Sequence, residues 1–567
     1  MPAALAGAGA AWGLVSERVA LLDAWQHVRS EAWIEQGLWR LTARQFDDPL
    51  QHTAVAIVIG AGVGLLASGL ARTGTARRPR LVGGFALLAG GLACALLVLA
   101  VSSAWLSARR PPEHAPNVVF IAIDSLRADS LGCYGYERDT SPFLDELAAT
   151  GVRFERALSQ ESYTLASVAS YFTSTYPTTH QVLYDLPQID TLRPTALTLA
   201  EVLADAGYAT GAFVFNPHLQ ARYRFDQGFD VYDDNPKAPG VDKGTASWRA
   251  YETADFMQRK VNRFLERAPS DRPRFLYLHY RDVHGPYLPP PDYANRFVPD
   301  HWPKQLRARP LADAQRPAGE APPMIRFVDY HRTQYDAEIA YTDDALRRLF
   351  TRLADRGLDR DNTLFVITSD HGEEFAEQHP GDTPSHSHGR TLYIEQIHVP
   401  LIVLLPGQST PLVIREAVEL LDVAPTVLDL ARLPQPPSFA GRSLRVLAEG
   451  GSRPARALFS GGSRARGAVW LEDTVYIEED LVDRKTRRFN ARPAPDDVSR
   501  PHAELYELDV DPLQTENVLT PGDPRHETLR ALLQTWRARS GESAPSVELD
   551  DDTREQLRAL GYLGDER

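Results

Sequence analysis

The sequence predicts an α/β fold with a mostly parallel central sheet, preceded by apolar N-terminal helices. Three observations lead there. From Asn117 onward, short apolar runs of strand length alternate with stretches of helical periodicity, the pattern of a sheet wrapped by helices. Three of those runs end in Asp or His, the residues expected where strands of such a sheet meet a site at their carboxyl edge. Upstream, runs at 53–71 and 81–107 carry no charged residue and are each long enough to cross ~30 Å of hydrocarbon as a helix.

Composition sets the outer limits. The chain has 567 residues, 43% of them hydrophobic, enough for two or more domains and a large core. A formal charge of −14 argues against a nucleic-acid surface, which needs concentrated Lys and Arg. Of the two cysteines, Cys94 lies inside an apolar run and Cys133 in Leu-Gly-Cys-Tyr-Gly. Neither has metal-ligand spacing, a disulfide between them is not expected, and Cys133 reads as a buried, inert thiol.

In chain order, residues 1–52 read as an amphipathic or membrane segment containing Trp25, Trp33 and Trp39. A membrane span through about Leu22 would place Glu17 and Arg18 in the bilayer, so an interfacial helix is an equal alternative. The two spans within 53–107 follow, joined by a loop holding Arg72, Arg77, Arg78 and Arg80. By the positive-inside rule that loop is cytoplasmic. The expectation is a multi-pass protein of the inner membrane with its remaining domains on the extracytoplasmic side, although Arg109 and Arg110 after the second span pull the other way. A Pro-rich linker at 108–116 ends the segment, and composition changes sharply after it.

The domain at 117–450 contains the predicted strands 118–123, 210–215, 275–280, 363–368 and 400–405. The first runs into Asp124, the third into Arg281-Asp282-Val283-His284, and the fourth into Asp370-His371-Gly372-Glu373-Glu374. Each side chain alone has an ordinary explanation as a helix cap or a loop residue. Together, two carboxylates and an imidazole at one edge repel or go unsatisfied unless a divalent cation neutralises them. Glu161-Ser162-Tyr163-Thr164 breaks into an apolar helix, so Thr164 is expected at the N-cap, where the helix dipole favours an alkoxide or a bound anion. Ser385-His386-Ser387-His388 precedes the strand near 400, which returns both histidines to the same edge. His388 is therefore a candidate to bind the transferring group or to protonate a leaving oxygen, with His386 beside it.

These residues carry a resemblance. The segments 117–129 (NVVFIAIDSLRAD), 132–144 (GCYGYERDTSPFL), 279–290 (HYRDVHGPYLPP), 335–343 (YDAEIAYTD), 367–374 (ITSDHGEE) and 388–401 (HGRTLYIEQIHVPL) together are similar to the sulfatase family of the alkaline-phosphatase-like superfamily. The resemblance implies an alkaline-phosphatase-like α/β sandwich with a mostly parallel central sheet and a small C-terminal α+β subdomain, here 451–567. It implies one divalent metal ion, calcium, manganese, zinc or magnesium, held by Asp124, Asp370 and His371 with Thr164. It also implies that His284 and His388 contact the phosphoryl or sulfuryl oxygens. A second cation would draw on His386 and Asp282.

Departures from the family narrow the chemistry. The family's C/S-x-P-x-R motif supplies the Cys or Ser oxidised to formylglycine, whereas the aligned run here is Thr164-Leu165-Ala166-Ser167-Val168. The usual second Asp is Ser125 and the expected Lys is His388, changes that resemble the phosphoryl-transfer side of the superfamily, where a Thr alkoxide attacks. The resulting expectation is a membrane-anchored, metal-dependent sulfatase-like hydrolase or phosphotransferase. Its substrates would be phosphate, phosphonate or sulfate esters, lipid or glycan linked, attacked by Thr164. The degraded motif leaves a catalytically inactive binding or scaffold protein as the alternative. Farther on, 457–460, 468–471 and 475–478 read as short antiparallel strands, 504–511 as an acidic turn, and the last fifty residues as helix and polar tail.

Overall fold

Strands form where apolar side chains alternate between two faces that are both covered. In Asn117–Ile123 (β1), Val118, Phe120 and Ala122 enter one apolar cluster while Val119, Ile121 and Ile123 enter the other. That two-sided burial explains the continuous hydrophobic run. The computed structural model describes residues 111–185, 188–234, 254–302, 327–377, 379, 386–462, 466–479, 502–539, 541, 544 and 546–548. The segment 1–52 and the apolar runs at 53–71 and 81–107 lie outside these. Among the described residues no helix is long and apolar enough to cross a membrane.

Among the described residues the main sheet contains nine strands. After β1 come Val152–Leu158 (β2), Ala209–Val214 (β3), Val231–Asp233 (β4), Arg274–Tyr280 (β5), Thr363–Thr368 (β6), His398–Leu404 (β7), Leu412–Ile414 (β8) and Val418–Glu419 (β9). Their spatial order is β8-β2-β7-β6-β1-β5-β3-β4, with β9 also on β2. All five expected strands are present within a residue or two of their read positions. β2 escaped the reading because its sequence, VRFERAL, alternates buried and half-buried residues instead of running apolar.

Every pairing is parallel except those of β7, which runs antiparallel to both β6 and β2. This direction matters to the site. With Leu401 opposite Thr368 and Leu404 opposite Phe365, the start of β7 lies beside the end of β6. The chain preceding β7 is thereby delivered to the carboxyl edge; a parallel strand would have left it at the opposite edge.

Helices cover both faces. Pro142–Ala148 (α1), Thr164–Thr173 (α2), Leu199–Asp205 (α3), Ala254–Leu265 (α4), Phe327–Asp355 (α5) and Val423–Leu430 (α6) are the main ones. Leu165 and Val168 of α2, Leu199 and Leu203 of α3, and Val427 of α6 pack on the Phe120 face. Leu144 of α1, Val261 of α4, and Ile339 and Leu349 of α5 pack on the Ile121 face. α3 begins with a reciprocal capping box, Thr198 accepting from the Glu201 backbone N–H while the Glu201 side chain accepts from that of Thr198.

A second sheet is four-stranded and antiparallel: Leu458–Ser460 (β10), Arg466–Leu471 (β11), Thr474–Glu479 (β12) and His502–Glu507 (β13). Trp470 and Ile477 face Leu158 and Tyr393 of the main domain, while Val469 and Tyr476 face Leu533 and Trp536 of Pro524–Arg537 (α7). The acidic run at 504–511 is thus corrected in part. Its first half is the edge of β13, with Leu505 and Tyr506 fully buried, and Asp511 accepts from the Thr515 and Glu516 backbone N–H groups in the turn that follows.

Candidate active site

Strands β1, β2, β3, β5 and β6 all end at one edge, and β7 begins there. Asp124 follows β1 directly. Its backbone N–H donates to the Tyr280 carbonyl at 2.8 Å. Ser125 then takes φ +62°, a left-handed conformation uncommon for a side-chain-bearing residue, which aims its N–H at Asp370 Oδ1 3.3 Å away. The Tyr335 hydroxyl holds this turn by donating to the Ser125 carbonyl at 2.9 Å.

Asp370 and His371 leave the end of β6. Ser167 Oγ, on α2, donates to the Asp370 carbonyl at 2.6 Å, so the helix carrying Thr164 is tied to the loop carrying both residues. His371 Nδ1 is 2.8 Å from the Gly372 carbonyl, which places the ring proton there and turns the Nε2 lone pair inward. Nε2 is 3.6 Å from Asp124 Oδ1 and 3.5 Å from Asp370 Oδ2. Asp124, Asp370 and His371 are fully buried, and each offers a ligand atom within 4.8 Å of the others.

Thr164 is the first residue of α2, not its N-cap. Tyr163 is the N-cap, extended at φ −152° and ψ 154°, with no side-chain capping bond. The Thr164 hydroxyl is directed instead into the cluster, 3.3 Å from His371 Nε2 and 3.1 Å from Asn216 Nδ2. Asn216 also donates to Asp124 Oδ2 at 2.6 Å, and thus bridges the hydroxyl and the carboxylate. Burial alone would raise the Asp124 pKa; His284, His279 and His371 around it outweigh that and hold it well below the usual carboxylate range.

This donor set fits a divalent cation. Two carboxylates share a buried site with an imidazole whose lone pair points at them, and among the described residues Asp370 Oδ2 has no hydrogen-bond partner. A buried, unsatisfied carboxylate oxygen is costly in the absence of a charge to meet it. Of the two spare ligands expected for a second cation, Asp282 is less available. Asp282 is committed to α4, accepting from the Ala254 backbone N–H at 3.0 Å. Of His386 the structure describes only the backbone, paired with Phe375 in a two-stranded ribbon.

His284 and His388 meet across the site, ring centroids 4.8 Å apart, and His388 lies 4.3 Å from the ring of His371. Their electrostatics diverge. Burial and Arg281, whose Nη2 is 3.0 Å from its Nδ1, push His284 well below the ordinary imidazole range. For His388 burial acts in the same direction but is overcome by Glu373, 3.1 Å from Nδ1, so its pKa is raised. Glu373 is fixed in turn by the Tyr287 hydroxyl at 2.9 Å. The two adjacent imidazoles are thus shifted in opposite directions.

Asp282 aside, the seven residues singled out from sequence divide clearly. Asp124, Thr164, His284, Asp370, His371 and His388 converge; for His386 no side-chain position is described. Asn216, His218, His279 and Glu373 were not singled out. His279 Nε2 lies 3.3 Å from Asp124 Oδ2, and burial lowers the His218 pKa to about 3. A signal existed for two of them: the strand 209–214 runs into Asn216-Pro217-His218, an Asn-Pro stop at the same edge, and Asn216 caps the following turn by accepting from the His218 N–H at 2.9 Å. Cys133 is half-buried, and its thiol pKa is pushed above the ordinary range by burial and Asp145.

Comparison with known proteins agrees with this geometry. The sulfatase family model matches residues 116–433. Arylsulfatase of Hemicentrotus pulcherrimus is 27% identical over 383 residues, covering 62% of this chain and 65% of the relative, so the match spans slightly less than two thirds of that protein. A solved structure holding its substrate D-glucosamine-2-N,6-O-disulfate superposes with a TM-score of 0.57 at 20% identity, over 75% of this chain and 98% of the other. Phosphonate monoester hydrolase of Agrobacterium radiobacter gives a TM-score of 0.55 at 19% identity, over 77% and 100%. At these identities the structural likeness establishes the fold.

Proposed function

The chain belongs to the sulfatase family of ester hydrolases, and from that premise we propose that it is a metal-dependent hydrolase or transferase in which Thr164 attacks phosphate, phosphonate or sulfate esters. One observation carries the reading: the Thr164 hydroxyl points into the Asp124–Asp370–His371 group, 3.3 Å from His371 Nε2, instead of capping its helix. A divalent cation held by those three residues would make the hydroxyl proton easier to lose to solvent and would offset charge on the transferring group.

The remaining work falls to side chains. Asn216 donates to Thr164 Oγ1 and fixes the oxygen that forms the new bond. As that bond to phosphorus or sulfur forms, the bond to the ester oxygen breaks, and His388, whose pKa Glu373 raises, supplies the leaving oxygen with its proton. His284, neutral beside Arg281, offers a hydrogen bond to the transferring group without adding charge. Water or an acceptor alcohol then attacks the covalent intermediate on Thr164 and frees the hydroxyl. Asp and His donors suit calcium, manganese, zinc or magnesium, and metal exchange after chelation would assign the ion.

We further propose that the apolar runs at 53–71 and 81–107 anchor the chain in the inner membrane, with the catalytic domain on the extracytoplasmic side. The support is their length, lack of charge and intervening arginines. That placement favours an envelope or lipid-headgroup ester; the glucosamine disulfate bound by a structural neighbour makes a glycan-linked ester the other natural candidate. The test is turnover of p-nitrophenyl phosphate diester, phosphonate ester and sulfate by the full chain in detergent, with and without chelator, beside Thr164→Ala. Chelator-sensitive cleavage lost in the variant supports the reading. No turnover of any ester and no copurifying metal would replace it with an inactive binding protein of this fold.

A further inference from the structure

The buried surroundings of Asp124 contain a hydrogen-bonded chain that the reaction outlined above does not use. Tyr171 lies two helical turns after Thr164 on α2, so both residues project from the same side of that helix. Its hydroxyl meets the hydroxyl of Tyr277 on β5. The Tyr277 hydroxyl is 2.8 Å from His279 Nδ1, two residues along the same strand and on the same face. His279 Nε2 is 3.3 Å from Asp124 Oδ2. Asp124 Oδ2 also accepts from Asn216, which donates to Thr164 at the start of α2. The circuit therefore begins and ends on one helix, and Tyr171, Tyr277, His279 and Asp124 are all fully buried.

We propose that the Tyr171–Tyr277–His279 chain is a positioning device that fixes which oxygen of Asp124 faces the cation site, and so sets metal affinity and the alignment of Thr164. One direction of donation satisfies every group. Tyr171 donates to Tyr277, Tyr277 donates to His279 Nδ1, and the proton thereby left on His279 Nε2 goes to Asp124 Oδ2. With Asn216 on the same oxygen, Oδ2 is occupied by two donors. Oδ1 is left toward the cluster, 3.6 Å from His371 Nε2 and accepting from Ser125 Oγ at 3.1 Å. Removing the imidazole N–H releases one restraint on carboxylate rotation, and partners of this kind behind a metal ligand typically account for 10–100-fold in affinity. The inference rests on the cation site of the proposed function.

The experiment is titration calorimetry of Mn²⁺ into the chelator-stripped full chain in detergent, with the metal-free melting temperature recorded for each protein. His279→Leu, which keeps bulk and loses the donor, is expected to weaken Mn²⁺ binding about 10–100-fold, and His279→Gln, which restores one N–H, to recover most of it. Tyr277→Phe removes only the hydroxyl that sets the imidazole tautomer; about 3–10-fold weakening is expected, with the metal-free melting temperature close to that of the wild type. This variant decides the matter if His279→Leu does not fold. Wild-type affinity in folded Tyr277→Phe and His279→Leu overturns the positioning role while leaving the metal-dependent reading intact. A wild-type chain that takes up no Mn²⁺ and turns over no ester overturns both.

Discussion

Thr164 illustrates how little a residue type says before its neighbours are known. A threonine at a helix start is ordinarily a cap, yet here the hydroxyl is held by Asn216 and aimed at His371. Thr164→Ala is expected to lower turnover on the order of 10³-fold or more while Mn²⁺ affinity changes much less, since three other ligands remain; steady-state kinetics beside calorimetry reads both. Thr164→Ser, which keeps the oxygen, should retain measurable turnover. For Asn216→Ala, kcat is expected to fall about 10–100-fold through loss of alignment at Thr164 and Asp124. Asp124, Asp370, His371, His284 and His388 were legible because each follows an apolar run or a resemblance motif. His279 was not, and Asn216 was marked only by an Asn-Pro stop at the same edge: an amide or an imidazole near the end of a strand has too many ordinary roles, and only the distances to Asp124 give it a place in the site.

At the scale of elements, the site depends on loops that approach one another closely. Gly372 follows His371, and its N–H donates to the Gln396 carbonyl at 2.8 Å; a Cβ there would lie 2.0 Å from the Glu395 carbonyl oxygen. Gly372→Ala is therefore expected to cost about 2 kcal/mol or more, seen as a lower melting temperature, and to displace His371 with loss of metal affinity. Away from the site, Thr198→Ala removes one half of the α3 capping box and should cost only about 1 kcal/mol with turnover unchanged. Strand existence was readable from apolar runs buried on both faces. Strand direction was not, because β7 reads like its parallel neighbours and only its pairing with β6 and β2 makes it antiparallel. That direction is what brings His388 to the edge occupied by Asp370.

At the scale of the whole molecule, the second sheet is part of the site's support. Arg466 of β11 donates to the Gly389 carbonyl at 2.8 Å and pairs with Glu161 at 3.3 Å, joining the loop before Thr164 to the loop of His388. Nearby, His379 pairs with Glu395 at 3.0 Å and stacks on Tyr393; burial disfavours its charge, but Glu395 and the Gln514 carbonyl prevail and raise its pKa to about 9. A raised histidine pKa stabilises the fold fully below the unfolded value near 6.5 and loses that contribution as pH climbs through the folded value. Stability should therefore fall by roughly 3 kcal/mol between about pH 6.5 and 9, a slope that Glu395→Gln would flatten in melting curves taken across that range. The sequence by itself determined the α/β class, the strands of the central sheet and most of the charged residues at its edge, because hydrophobic period and strand-ending polar residues are local properties. Only the tertiary structure decided the antiparallel course of β7, the hydroxyl direction of Thr164, the opposite electrostatics of His284 and His388, and the inclusion of Asn216 and His279. Each of these depends on distances between side chains far apart in the chain, set by strand order and packing.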